Sequence, residues 1–445
     1  MKKLLILTIV GFMSASLFGQ DPSTVVLLNY STLEKKVEKS NKAIAHEKKS
    51  QKSKTWVKRG ELFQDVFLFG IEHVQEGMAP MTLKLFYREP TEIKTETRDG
   101  VNYETHVYDH IKYVFSNNAL QYWELIDPIH PDPLEESMNS YIKAIDLDEK
   151  GTVAEKIKEN LVELKNQFKR DGVNNYYIGD NKEALNAFKN VLKINELDVF
   201  SGEFDTIMVQ YSGIISREIA SKTGNKELYL EAIKFYDQLA ETGYGGPNTY
   251  LQMKMDWMAY GDTAKAMEVL LKGYEKYPDT INLVANIADT YILMDEIDEG
   301  LKFIDRAIEN TPDAGQIYYW KGRLIINKQE DQNIEEAVEA YTKAGELNPG
   351  LYYVWYDLGY IYYLQGADYY DRANLEENDN IRRQLLDLGK ERYDKAIPVL
   401  EKSLTLNEDI NREVKFETLD LLQRIYYKEQ MMEDYERVKA LKEAL

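Results

Sequence analysis

The sequence predicts a mostly α-helical protein, a solenoid of stacked helix pairs with a small α+β insertion near its N-terminus. Three observations carry this. Small residues recur in register: Ala232, Ala266, Gly300 and Ala337 are spaced 34, 34 and 37 residues apart. A large apolar residue follows each by four (Tyr236, Leu270, Ile304, Tyr341), and Leu239, Gly273, Ala307 and Ala344 follow by seven. Those offsets share one helical face, and a small residue there lets a second helix approach closely. Pro278, Pro312 and Pro349 punctuate the same steps, each closing one pair before the next begins. Residues 92–125 break the rhythm with short runs around Asp99-Gly100 and Asn117-Asn118, the pattern of hairpins. With 44% hydrophobic and 12% aromatic residues, the 445-residue chain can bury a sizeable core, which excludes wholesale disorder.

In chain order, Lys2-Lys3 and the apolar run Leu4–Val10, ending near Leu17-Phe18-Gly19, read as a signal peptide over 1–19, with Gln20 or Asp21 first in the mature chain. The run is too short and interrupted to span a membrane. The expected location is a bacterial periplasm, with association to the outer membrane through a partner as an alternative. Residues 20–76 read as N-terminal helices, including Trp56–Gly60. Pro80 suits the first turn of a short helix, and 77–127 then reads as four strands in two hairpins: Glu92–Arg98 with Val101–Tyr108, and Ile111–Phe115 with Leu120–Leu125. This segment either interrupts one helix pair or sits between two irregular ones.

From 131 to 445 the helical register returns. Asp132–Glu149 carries Ser137, Tyr141 and Ala144 at the repeat offsets. Ala184, Phe188 and Val191 repeat the trio, and Ala396, Leu400 and Ser403 do so again. Pairs are expected at about 166–195, 203–242, 247–278, 281–312, 315–349 and 352–407, closed by cap helices at 413–445. The cap's last helix shows Val438, Leu441 and Leu445 as its apolar stripe. The register slips at Gly366–Glu391, where extra residues suggest a projecting helical extension, and Pro398 is expected to kink the helix that follows.

Trp355-Tyr356-Asp357-Leu358-Gly359-Tyr360-Ile361-Tyr362 fits the pattern W-x2-L-G-x2-Y without a mismatch. Weaker copies stand at Tyr318…Gly322, Phe168…Gly172 and Trp56…Gly60. The chain therefore resembles the tetratricopeptide (TPR) repeat family, secreted bacterial type. The resemblance implies a superhelix whose first helices line a concave binding face. On that register the face takes Ala285, Asp289 and Ile292, then Tyr319, Arg323 and Ile326, then Tyr353, Tyr356, Tyr360 and Tyr363. Tyr352 and Tyr362 fall on the packing side. A Lys/Asn clamp for a C-terminal carboxylate is not evident, since Ala285 and Asp289 occupy two of its places, with Asn286 nearby. The 77–127 segment resembles the SmpA/OmlA outer-membrane lipoprotein fold through Gly77-Met78, Leu83, Tyr87, Pro90 and the meander ending Phe115–Leu120. That family packs helices on a three-stranded sheet. Arg88 stands where a Gly is usual.

The 76 acidic and 55 basic side chains leave a net charge of −21, which repels nucleic-acid backbones and favours basic or polar protein partners. With no Cys there is no disulfide, thiol nucleophile, Cys-held metal or lipid-modified cysteine. No phosphate-binding glycine loop or nucleophile elbow occurs. His106 and His110, four apart, fall at a strand end, where they read as polar hairpin residues. No cofactor, metal or catalytic residue is expected. The reading is a non-catalytic periplasmic scaffold or adaptor for envelope or secreted proteins and peptides. The alternative is a small-ligand or glycan-binding protein using the same aromatic face. The partner-binding set is Asp289, Tyr319, Arg323, Tyr353, Tyr356, Tyr360 and Tyr363.

Overall fold

A computed structural model describes residues 27–200, 203–328, 334–407 and 411–445, so the leader read at 1–19 lies outside the described residues. The chain divides into two compact units, Met1–Thr242 and Gly243–Leu445. The division falls inside the stretch that the repeat register treats as one array. It sits at a turn where Gly243, Gly245 and Gly246 take φ of 76°, 75° and 54°, a backbone that costs glycine nothing.

The first unit holds α1 (Tyr30–Ile44), α2 (Glu47–Ser50), α3 (Ser53–Leu68) and α4 (Pro80–Leu83), then β1 (Glu92–Arg98), β2 (Val101–Val107), β3 (Ile111–Ser116) and β4 (Ala119–Leu125). After the strands come α5 (Pro133–Asp146), α6 (Ala154–Ile178), α7 (Asn181–Asn195), α8 (Thr206–Thr223) and α9 (Glu227–Thr242). Helices α3 and α5 pack as one pair although 64 residues of chain separate them. A Cβ on Gly60 would lie 2.4 Å from the Tyr141 ring. Ser137 donates to the Gly60 carbonyl at 2.9 Å, and the Tyr141 hydroxyl donates to Gln64 at 2.6 Å. The α+β segment is thus an insertion within one helix pair. The same device recurs in α6–α7, where Gly172 lies under Phe188, and in α8–α9, where Gly213 lies under Tyr236. Helix α6 begins at Ala154 rather than near 166, because Ile157, Leu161 and Leu164 extend its buried face.

The sheet is an antiparallel meander, β1-β2-β3-β4. Asp99-Gly100 and Asn117-Asn118 both take positive φ at their turns, as two-residue hairpin loops require. Four strands form, one more than the SmpA/OmlA resemblance implies. Helix α6 fastens the sheet's β4 edge: Asn174 accepts from the Trp123 N–H and donates to the Trp123 carbonyl, each at 3.0 Å. Arg170 lies 4.8 Å over the Trp123 ring and donates to the carbonyls of Ile71 and Val74. The opposite edge, β1, is exposed along its whole length. His106 and His110 part company here. His106 is buried against Phe115 and meets Glu104. His110 stacks on Tyr30 with ring centroids 3.8 Å apart, which seats α1. Both do packing work that the hairpin reading does not foresee.

The second unit holds α10 (Pro247–Tyr260), α11 (Thr263–Lys276), α12 (Ile281–Leu293), α13 (Ile297–Asn310), α14 (Gly315–Asn327), α15 (Ile334–Leu347), α16 (Tyr352–Leu375), α17 (Asp379–Leu406), α18 (Arg412–Lys428) and α19 (Met432–Glu443). These are TPR-like helix pairs. Gly322 lies under Tyr341 and Gly359 under Leu400. In α10–α11 the roles reverse, and Gly273 of the second helix lies under Tyr250 of the first. The extra residues at 366–391 lengthen both helices of the α16–α17 hairpin. There Gly366 receives the Tyr393 ring, and Gly389 packs beneath Tyr370. Pro398 lies inside the unbroken α17. In α19, Val438 is fully buried, but Leu441 is 44% exposed, so the cap's apolar stripe is narrower than the sequence suggests.

Candidate functional site

Within 243–445 the first helices of successive pairs carry a row of cross-linked polar and aromatic side chains. Lys254 of α10 donates to Asn286 of α12 at 3.2 Å. Asp289, exposed on α12, lies 3.9 Å from Arg323 of α14, whose guanidinium also covers Trp320 at 4.7 Å. Tyr319, one turn before Arg323, stands near Asp357 of α16. Tyr356 donates to Glu417 of α18 at 2.8 Å. Tyr363 stands near Arg424 of α18, which is paired with Asp420 at 2.7 Å. Each link joins a first helix to the next first helix, because helical spacing presents one face of each toward its neighbour.

The seven sequence-derived residues fall into four groups. Asp289 and Arg323 meet across α12–α14. Tyr353 packs edge-on against Tyr319 at 4.7 Å, both half-buried beside the α14–α16 core. Tyr363 stacks on Tyr393 of α17 at 5.7 Å with planes 4° apart, so most of its ring serves the hairpin's own packing. Tyr356 and Tyr360 form a parallel pair, centroids 6.2 Å apart and planes 7° apart, with Tyr360 41% exposed. Leu364, one turn further along α16, is also exposed. Ile326 is exposed on α14, while Ala285 and Ile292 are half-buried on α12. Tyr352 and Tyr362 pack as expected, Tyr352 edge-on against Tyr353 and Tyr362 against two neighbouring cores.

Two acids that sequence reasoning passed over stand at the centre. Burial pushes the Asp357 carboxyl up to about 6. Glu417 adds to the rise, while Tyr319 and Arg323 oppose it. Burial, then the Asp357 charge, raises the Tyr319 hydroxyl. Burial and Glu417 likewise raise Tyr356. Asp357 is inside the quoted Trp355–Tyr362 motif, but its partners lie 34 to 60 residues away, beyond any local spacing. The row offers hydrogen bonds, ring faces and negative charge. Among the described residues no group of three or more His, Cys, Asp or Glu could hold a metal, and no helix is long and apolar enough to cross a membrane.

A second surface lies on the sheet of the first unit. One open cleft is lined by Thr95, Thr97, Asn102, Glu104 and Ser116, and another by Lys94, Arg98, Lys112, Tyr122 and Glu124. In the second, Arg98 donates to the Tyr122 hydroxyl at 2.8 Å, and Lys112 pairs with Glu124 at 2.9 Å.

No family model matches the chain, and no curated protein does. Solved structures that resemble it are TPR proteins. A TPR repeats protein from Bacteroides fragilis is 18% identical, over 62% of this chain and 98% of its own, with a TM-score of 0.31. The C-terminal part of a TPR repeat-containing protein from Cytophaga hutchinsonii is 13% identical, over 62% and 94%, at 0.39. MamA from Desulfovibrio magneticus RS-1 is 17% identical, over 42% and 94%, at 0.27. Scores at this level add no weight to the helix-pair geometry, on which the TPR-like fold rests by itself.

Proposed function

We propose that this protein is a non-catalytic adaptor of the bacterial cell envelope, exported to the periplasm, that binds envelope or secreted proteins through the first-helix row of residues 243–445. The observation that carries the reading is the Tyr356–Tyr360 pair with exposed Leu364 beside it. Tyrosine offers contact area and a hydroxyl at low entropic cost. The neighbouring side chains are already held by cross-helix hydrogen bonds, so little ordering is left to oppose binding. The inserted sheet, with its exposed β1 edge, is a second docking surface in this reading.

The test is capture by crosslinking with tagged mature protein in its own periplasm, beside a Tyr353/Tyr356/Tyr360→Ala variant. A discrete envelope protein lost from the variant supports the adaptor reading. Equal recovery by both proteins removes the row from the interface. If neither captures a protein and a glycan panel binds the wild type saturably, the chain is a ligand-binding protein instead.

A further inference from the structure

The row also bears on what its occupant must look like. Tyr356, Tyr360 and Leu364 lie at i, i+4 and i+8 on α16, a continuous aromatic and aliphatic strip with two exposed members. The strip's flanks are acidic. Glu417 takes a hydrogen bond from the Tyr356 hydroxyl at 2.8 Å, and Asp357 stands near Tyr319. Of the bases nearby, Arg323 lies between Asp289 and Asp357 and covers Trp320, while Arg424 is paired with Asp420. Glu417 lies near enough to Asp357 to disfavour charge there. The residues around them share the sign: 243–445 carry 39 acidic and 24 basic side chains, a net charge of −15.

Stacked tyrosine faces attract a cation through the ring quadrupole, and a flanking carboxylate strengthens that attraction. We propose that the Tyr356–Tyr360 strip is a subsite for a lysine or arginine side chain, and that the segment bound along the row is basic. The proposal rests on the adaptor reading and narrows it to one partner chemistry. The cation lies over the exposed Tyr360 ring and reaches the Glu417 carboxylate. An acidic segment meets like charge there, and a neutral one brings no counter-charge to Glu417.

The test uses the full mature chain and three fluorescein-labelled eight-residue peptides, (Arg-Ser)4, (Gln-Ser)4 and (Glu-Ser)4, titrated by anisotropy at fixed ionic strength. Saturable binding of (Arg-Ser)4 is expected, with the other two at least tenfold weaker. Glu417→Gln keeps an acceptor for Tyr356 and removes the charge; it should weaken (Arg-Ser)4 about tenfold. Tyr360→Ala, at a half-exposed position, should do the same. Glu336→Gln, an equal charge change on the exposed face of the second helix α15, should leave binding unchanged. Circular dichroism confirms that each variant is folded. The proposal is overturned if (Arg-Ser)4 does not bind saturably, if (Gln-Ser)4 binds as tightly, or if Glu336→Gln weakens binding as much as Glu417→Gln. If a captured envelope protein depends on Tyr356 but crosslinks through a segment without Lys or Arg, the adaptor reading stands and the cation subsite falls.

Discussion

At the scale of single residues, the repeat is a contact between a missing side chain and a ring. A Cβ at Gly172 would lie 2.4 Å from Phe188, closer than any real carbon approaches. Gly172→Ala should therefore destabilise the chain by about 1–3 kcal/mol through overpacking, read as a lower urea midpoint. Adding Phe188→Leu should recover part of the loss, and no recovery would mean that the helix spacing is set elsewhere. Two half-buried acids give a second residue-level expectation. Burial, helped by Glu183, pushes Asp171 up to about 7, and burial pushes Asp357 up to about 6. Each carboxyl binds its proton more tightly folded than unfolded, where the value is near 3.8. Stability therefore falls as pH rises from about 4 through the folded value, and above it the charged group is a standing cost. Asp171→Asn should melt higher than wild type at pH 8, with the gain shrinking toward pH 5. A melting difference that is the same at both pH values would contradict the buried charge.

At the scale of elements, the α+β insertion is held to helix α6 by few groups. Asn174 fills both hydrogen-bonding positions of Trp123 on β4, and Arg170 clamps the turn before α4. Asn174→Ala leaves two buried backbone groups unpaired, at about 1–3 kcal/mol each. Hydrogen exchange at β4 should speed up well before that of α8 and α9. Uniform acceleration across the first unit would show that the sheet and the helices open together. The α18–α19 cap follows similar reasoning. Helix α19 buries Val438 over Leu419, Leu422 and Ile425. A chain ending near Asn407 should expose the α17 face and lose solubility. Equal solubility and heat stability would remove the capping role.

At the scale of the whole molecule, charge is the property with reach. An acidic unit around an aromatic strip should draw a basic segment faster than diffusion alone, and salt should screen that gain. Association of (Arg-Ser)4 should slow several-fold between 20 and 300 mM salt while dissociation changes less. An association rate that ignores salt would confine the charge to short-range contact.

The helix pairs, the four strands and both hairpin turns were legible because each is a local pattern. Small residues at 34-residue steps, Asp99-Gly100 and Asn117-Asn118 act within a few residues of themselves. The candidate row was legible only in part. Its tyrosines could be counted along α16, but helical spacing alone does not say which rings a neighbouring helix will cover. Tertiary packing turned Tyr363 onto Tyr393 and Tyr353 onto Tyr319, and left Tyr360 exposed. It also paired α3 with α5 across the inserted sheet, and brought Glu417 onto Tyr356 from about 60 residues away. The sequence by itself determined which segments coil, turn and repeat, since those choices depend on backbone sterics and the spacing of small and apolar residues. Only the tertiary structure decided which side chains meet, because burial and charge proximity arise between segments that no local spacing connects.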